Sequence, residues 1–104
     1  MITMDVDYNT LFAQKTKQKA ITIIKEFSII PYNEAFSVIR KQIYRSSTSM
    51  AANYRAMSRA RSKAERFSKL SIVIEETDET LFWLEMIEEL NFVNEEILID
   101  LNLN

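Results

Sequence analysis

The side chains with the most chemical potential in this chain are its carboxylates and its guanidinium and ammonium groups. Carboxylates recur at helical spacing, Glu75 with Glu79 and Glu85 with Glu89, so each pair shares one helix face. Paired carboxylates can bind a hard cation or divide acid and base work between them. Solvated helix faces carry the same pattern, and that is the plainer and preferred reading. Histidine is absent, which removes the usual general base, the Ser-His-Asp arrangement and the Glu-x-x-His ligands of bundle di-iron proteins. Cysteine is absent too, and with it disulfides, thiolate zinc sites and thiol nucleophiles. Glycine, which most phosphate-cradling loops need, does not occur. The chain therefore reads as a non-enzyme with no metal and no cofactor.

The cations are more informative. The net charge is only −2, but the average hides a sharp division. Between Arg40 and Lys69 stand nine basic residues, Arg40, Lys41, Arg45, Arg55, Arg59, Arg61, Lys63, Arg66 and Lys69, against the single acid Glu65. Between Glu75 and Asp100 stand ten acids and neither Lys nor Arg. Cations at a helix C-terminus are stabilising, so Arg55 and Arg59 need no further explanation. Lys63 and Arg66 fall at a helix N-terminus, where the macrodipole is already positive and each costs about 0.3–1 kcal/mol. Free N–H groups beside Arg and Lys form an anion site, and phosphate is the obvious anion.

The elements that would position these groups are helices. The chain has 104 residues, one domain's worth. With no glycine and one proline, Pro31, it lacks the turn chemistry of most β topologies. The spacing predicts a first helix from about Thr10 to Phe27, with Phe12, Thr16, Ala20, Ile23, Ile24 and Phe27 on one face, Thr10 as its cap and Pro31 beyond its end. A second runs from about Asn33, an N-cap, to Arg59, carrying Phe36, Ile39, Ile43, Ser47, Met50, Tyr54 and Met57 inward. Its run of small residues, Ser46 to Ser49 with Ala51 and Ala52, lets another helix approach closely. Ser62 and Glu65 form a capping box opening a third helix that continues to about Leu90, with Phe67, Leu70, Ile74, Thr77, Leu81, Leu84 and Glu88 at 3-4 spacing. A short fourth helix runs from about Asn94 to Leu103.

The short link between the long second and third helices makes them antiparallel. The expected fold is an all-α, antiparallel up-down four-helix bundle, a single domain over residues 1–104. That fold gathers Arg55, Arg59, Arg61, Lys63, Arg66 and Lys69 at one tip, with Arg45 on the helix side, and the acids at the opposite end. Lys15, Lys17 and Lys19 should lie toward the basic end. The third helix also carries Ile72, Val73, Trp83, Met86 and Ile87 around its cylinder. A helix apolar most of the way round is buried most of the way round, so these five are the expected contacts of a homo-oligomer; coverage by the first and fourth helices is the plainer alternative. No apolar run reaches the roughly 18 residues of a membrane span, and no secretory signal opens the chain. A cytoplasmic protein without membrane contact is expected.

Three runs of residues resemble a known family: Gln42 to Tyr54; Arg59 to Phe67 with Lys69 and Leu70; and Ile72 to Glu85. Their pattern is an Arg-small-small run reaching an Asn, then an Arg-x-Ser loop, then a Phe-x-x-x-Leu helix with a Glu-rich continuation. Over roughly half the chain it resembles the bacterial four-helix-bundle proteins encoded in 23S rRNA intervening sequences, to which the accessory variability proteins of diversity-generating retroelements are related. The resemblance implies a bundle assembling as a ring-like homopentamer. In the retroelement branch it implies a basic surface contacting nucleic acid and a reverse transcriptase. The chain departs from the pattern where it reads Arg55-Ala56-Met57 in place of a Glu-Gly pair, and in a fourth helix shorter than usual.

Two functions follow as expectations. In the first, the basic tip binds RNA or DNA phosphates. In the second, the opposite charges dock protein on protein in a purely structural assembly module. A sequence pI near 5.2 counts against indiscriminate coating of DNA, and no aromatic interleaving suits stacking of single-stranded bases.

Overall fold

The computed structural model describes residues 8–101. They form four α-helices joined by short links: α1 (Tyr8–Ser28), α2 (Glu34–Ser58), α3 (Lys63–Glu89) and α4 (Glu95–Leu101). Polar side chains start three of them. Asn33 Oδ1 accepts the N–H of Phe36 at 3.0 Å, Ser62 Oγ that of Glu65 at 3.1 Å and Asn94 Oδ1 that of Ile97 at 3.0 Å. Each bond satisfies an N–H with no partner inside the helix. The Glu65 carboxylate reaches back to the N–H of Arg61 at 3.5 Å, one residue earlier than in an ideal capping box. Helix α1 is already formed at Tyr8, so Thr10 lies inside it and is not its cap. Leu103, which the spacing assigns to the fourth helix, lies outside the described residues.

The C-termini are closed by two different devices. Arg40 of α2 donates through Nη1 to the carbonyls of Phe27 at 3.0 Å and Ile30 at 3.3 Å, placing a cation on the negative end of α1. At the end of α3, Asn91 takes φ 57°, the left-handed conformation that glycine usually fills and asparagine tolerates. The N–H of Phe92 then bonds to the carbonyl of Ile87 at 3.2 Å and that of Asn91 to Glu88 at 3.1 Å. These are the two bonds of a Schellman motif, made here in a chain without glycine.

Helix α2 is central, with α1 packed along one side and α3, antiparallel to it, along the other; α4 lies on α1. The core joins Ile23 and Phe27 of α1, Phe36, Ile39 and Ile43 of α2, Leu84 and Ile87 of α3 and Leu101 of α4. Each large side chain buried there stabilises the fold by about 1.5–3 kcal/mol. The rings of Phe27 and Phe36 meet edge-on at 5.8 Å. This cluster sits at one end of the molecule, where α1 ends, α2 begins and α3 gives way to α4; Ala13, Met50, Met57 and Val73 are buried outside it. Beyond it, α2 buries small residues together with Met50 and Met57. Ser46, Ser47 and Ala51 are buried, and the Thr80 hydroxyl sits 2.9 Å from Ser46 Oγ and 2.8 Å from the carbonyl of Glu76. The small-residue run thus permits the close approach expected of it.

Helix α3 presents a different face from the one its spacing suggested. Its buried residues are Val73, Thr80, Leu84 and Ile87. Of the expected stripe only Leu84 is buried, while Phe67, Leu70, Ile74 and Leu81 are exposed. The physical reason is that α3 carries two apolar stripes, and the one turned to α2 also brings Thr80 to Ser46 and Glu76 and Glu79 to Arg45. The same choice relocates the expected subunit contacts. Val73 and Ile87 are buried within the protomer, Trp83 and Met86 pack against its core, and Ile72 is half-buried. Val73 and Ile87 cannot also face a second subunit. In α1, Phe12 is exposed as well, with the Lys15 ammonium over its ring at 5.6 Å.

Candidate nucleic-acid interface

The link between α2 and α3 is four residues long, and both helix ends adjoining it are basic. Arg55 sits in the last turn of α2, Arg59 caps that helix, Arg61 lies in the link and Lys63 is the first residue of α3. Arg66 and Lys69 follow one and two turns later. All are exposed except the half-buried Lys69. Among the described residues none of these six side chains makes an ion pair; both ion pairs found belong to Arg45. The one acid nearby, Glu65, is turned to the backbone N–H of Arg61. Six uncompensated cations therefore stand at one tip of a molecule whose long dimension is 49 Å. Glu85, Glu88, Glu89, Glu95 and Glu96 are exposed at the other end.

Arg45 does not belong to that group. Its guanidinium bridges Glu76, at 3.3 Å, and Glu79 of α3. Glu79 also accepts the indole N–H of Trp83 at 3.0 Å. Arg45 thus fixes α2 to α3 halfway along the hairpin and is not free to hold a phosphate.

A groove of about 490 Å³ between α1 and α2 extends the basic surface. Arg55 and Arg59 line one side and Lys17 the other, over a floor that includes the buried Ala13, Ala20 and Ala51. No acid lines it. Of the three lysines expected near the basic end, only Lys17 joins the groove, whereas Lys19 donates to the carbonyl of Leu101 in α4 at 3.1 Å. The relevant signal in the sequence is that Lys17 stands four residues after Ala13 and three before Ala20, which puts it beside the small residues α1 turns to α2.

No group of acids suited to holding a metal ion occurs among the described residues. No described helix is long and apolar enough to cross a membrane. What the tip offers is positive charge on rigid helix ends, with the backbone N–H groups of Lys63 and Ala64 in the first turn of α3 left without an intrahelical acceptor.

The comparison with protein families decides the relationship: the family model of the 23S rRNA-intervening sequence protein matches residues 9–104. The chain belongs to that family. A solved structure similar to this chain agrees with the fold. It is the crystal structure of a protein of unknown function from the S23 ribosomal protein family of Bacteroides thetaiotaomicron. That protein is similar to this chain at 29% sequence identity and a TM-score of 0.76, over 90% of this chain and 84% of its own. No curated protein matches.

Proposed function

We propose that this 23S rRNA-intervening sequence protein is a non-enzymatic, self-associating, cytoplasmic bundle that grips nucleic-acid phosphates at the tip where α2 meets α3. The observation that carries the reading is the group of six cations at that tip, none matched by an acid among the described residues. A stable fold gains nothing from leaving Lys63 and Arg66 at a helix N-terminus; a phosphate there relieves the repulsion. Arg55, Arg59, Arg61, Lys63, Arg66 and Lys69 act as phosphate clamps, Lys17 extends the track along the groove, and sequence preference is weak. The family's name refers to an intervening sequence of 23S rRNA, so structured RNA is the ligand to try first. The retroelement branch and its reverse transcriptase form the narrower expectation, tested by the neighbouring genes.

Binding to a structured RNA from 50 to 200 mM salt tests the reading. With about six phosphate contacts, log Kd is expected to move with log salt at a slope of roughly 4–5. Absence of binding at the lowest salt ends the proposal.

The second reading, an assembly or adaptor module without a nucleic-acid ligand, is favoured by the acidic end, which the basic tip of another subunit could meet. The double reversal Arg61→Glu with Lys63→Glu separates the two. Under the first reading the oligomer persists and RNA binding is lost. Under the second the oligomer dissociates.

A further inference from the structure

The groove between α1 and α2 offers more than a phosphate track needs. It runs from Thr10 and Arg59 near the tip to Ile24 and Thr48 halfway along α2, and the stretch of α1 from Thr10 to Ile24 rises roughly 21 Å. Charge and apolar surface are divided along it. Lys17, Arg55 and Arg59 line the outer half, and among the described residues none of them makes an ion pair. The inner half is lined by Ala20, Ile21, Ile24, Ala51 and Ala52 with Thr48, and no charged side chain of the described residues reaches it. Its volume of about 490 Å³ falls in the range of small-ligand sites, roughly 300–1,000 Å³.

A crevice between two packed helices is narrower than one helix, about 10–12 Å. A double helix is wide enough to admit an α-helix into its own groove, so it rests on the rim and leaves the inner half empty. A single unstacked nucleotide can enter. We propose that the inner half receives one unpaired nucleotide turned out of a structured RNA, with its base over Ala20, Ile21 and Ala51 and its phosphates between Lys17 and Arg55. Side chains that end at Cβ let the flat face of a base come close, and unstacked bases in bulges and loops are what proteins read most readily in RNA. Cations on both walls with no acid between them select a nucleotide over an uncharged apolar ligand. The Thr48 hydroxyl gives its proton to the carbonyl of Tyr44 at 2.6 Å and keeps its lone pairs for a donor on the base edge. Every base carries such a donor, so the site distinguishes an unpaired nucleotide from a paired one more than one base from another. One base is seated rather than a stacked strand, so no row of aromatic side chains is needed. The inference rests on the phosphate reading above and adds what kind of RNA the protein prefers.

Three RNA hairpins sharing one stem test it: an uninterrupted stem, a stem with a single bulged adenosine, and the same bulge with an abasic residue in place of the adenosine. The two bulged hairpins carry equal numbers of phosphates, so electrostatics alone binds them equally. The adenosine bulge is expected to bind about five- to tenfold more tightly than the abasic one at the same salt, the lower part of what a seated base contributes. The slope of log Kd against log salt should be the same for both, because it counts phosphates. Ala52 is exposed, so Ala52→Leu extends into the groove without crowding the core. That variant should abolish the difference between the two bulges, whereas Ala52→Ser should keep it. Circular dichroism checks that both variants retain their helices. Equal binding of the adenosine and abasic bulges, or a difference that survives Ala52→Leu, overturns the nucleotide site and leaves the phosphate clamps standing. Failure of all three hairpins to bind at the lowest salt overturns both.

Discussion

Tyr44 shows how a single group reports on this interior. Its hydroxyl donates to the carbonyl of Ile24 in α1 at 3.4 Å, and burial pushes its pKa above the usual phenol value, with Arg40 pulling weakly the other way. A pKa raised in the folded state means that the folded protein holds the proton more tightly than the unfolded chain. The contribution is fully present below pH 10 and is lost as pH rises through the folded value. Stability should thus decline in alkaline solution, and Tyr44→Phe should flatten that decline; denaturant melts at pH 8, 10 and 11 would measure it. An unchanged slope would mean that the hydroxyl is solvated in the native state. Arg45 carries the complementary lesson. Its type and position resemble those of the tip cations, but the register of α2 against α3 decides that Glu76 and Glu79 hold it, and register is a property of packing that local sequence does not express.

Helix ends were legible because they are written in local chemistry. Asn33, Ser62 and Asn94 cap through their own side chains, so the boundaries of α2, α3 and the start of α4 follow from residue type. The orientation of α3 was not legible, because Phe67, Leu70, Ile74 and Leu81 form as good an apolar stripe as the buried one. The contacts on the chosen face, Ser46 with Thr80 and Arg45 with Glu76 and Glu79, join residues 31 to 34 apart in sequence. Asn91 offers a test at this scale. Replacing it with glycine removes the cost of the left-handed backbone and should stabilise the fold by up to about 1 kcal/mol, whereas a β-branched Val there should destabilise it by a similar or larger amount. Thermal melts of Asn91→Gly and Asn91→Val would show opposite shifts. Shifts in the same direction would mean that the Schellman turn contributes little.

At the scale of the molecule, the division between a positive tip and a negative end was readable from the order of charges and the brevity of the link. The division between stabilising and accessible surface was not. The eight residues of the main core cluster lie at the end away from the tip, while residues 61–68 are all exposed. A segment with few buried apolar contacts opens with a smaller free energy than one inside the core. Native-state hydrogen exchange should then run as a gradient. Amides of α3 before Val73 should exchange at least tenfold faster than those around Leu84 and Ile87. Uniform protection along α3 would contradict it.

That gradient bears on thermodynamics. If the loosely anchored half of the hairpin is also the half that takes a ligand, association orders backbone that was partly fraying. Part of the gross attraction is then consumed in conformational entropy. Calorimetry would register this as a favourable enthalpy opposed by entropy, and occupancy of the tip would slow exchange at amides that touch no ligand.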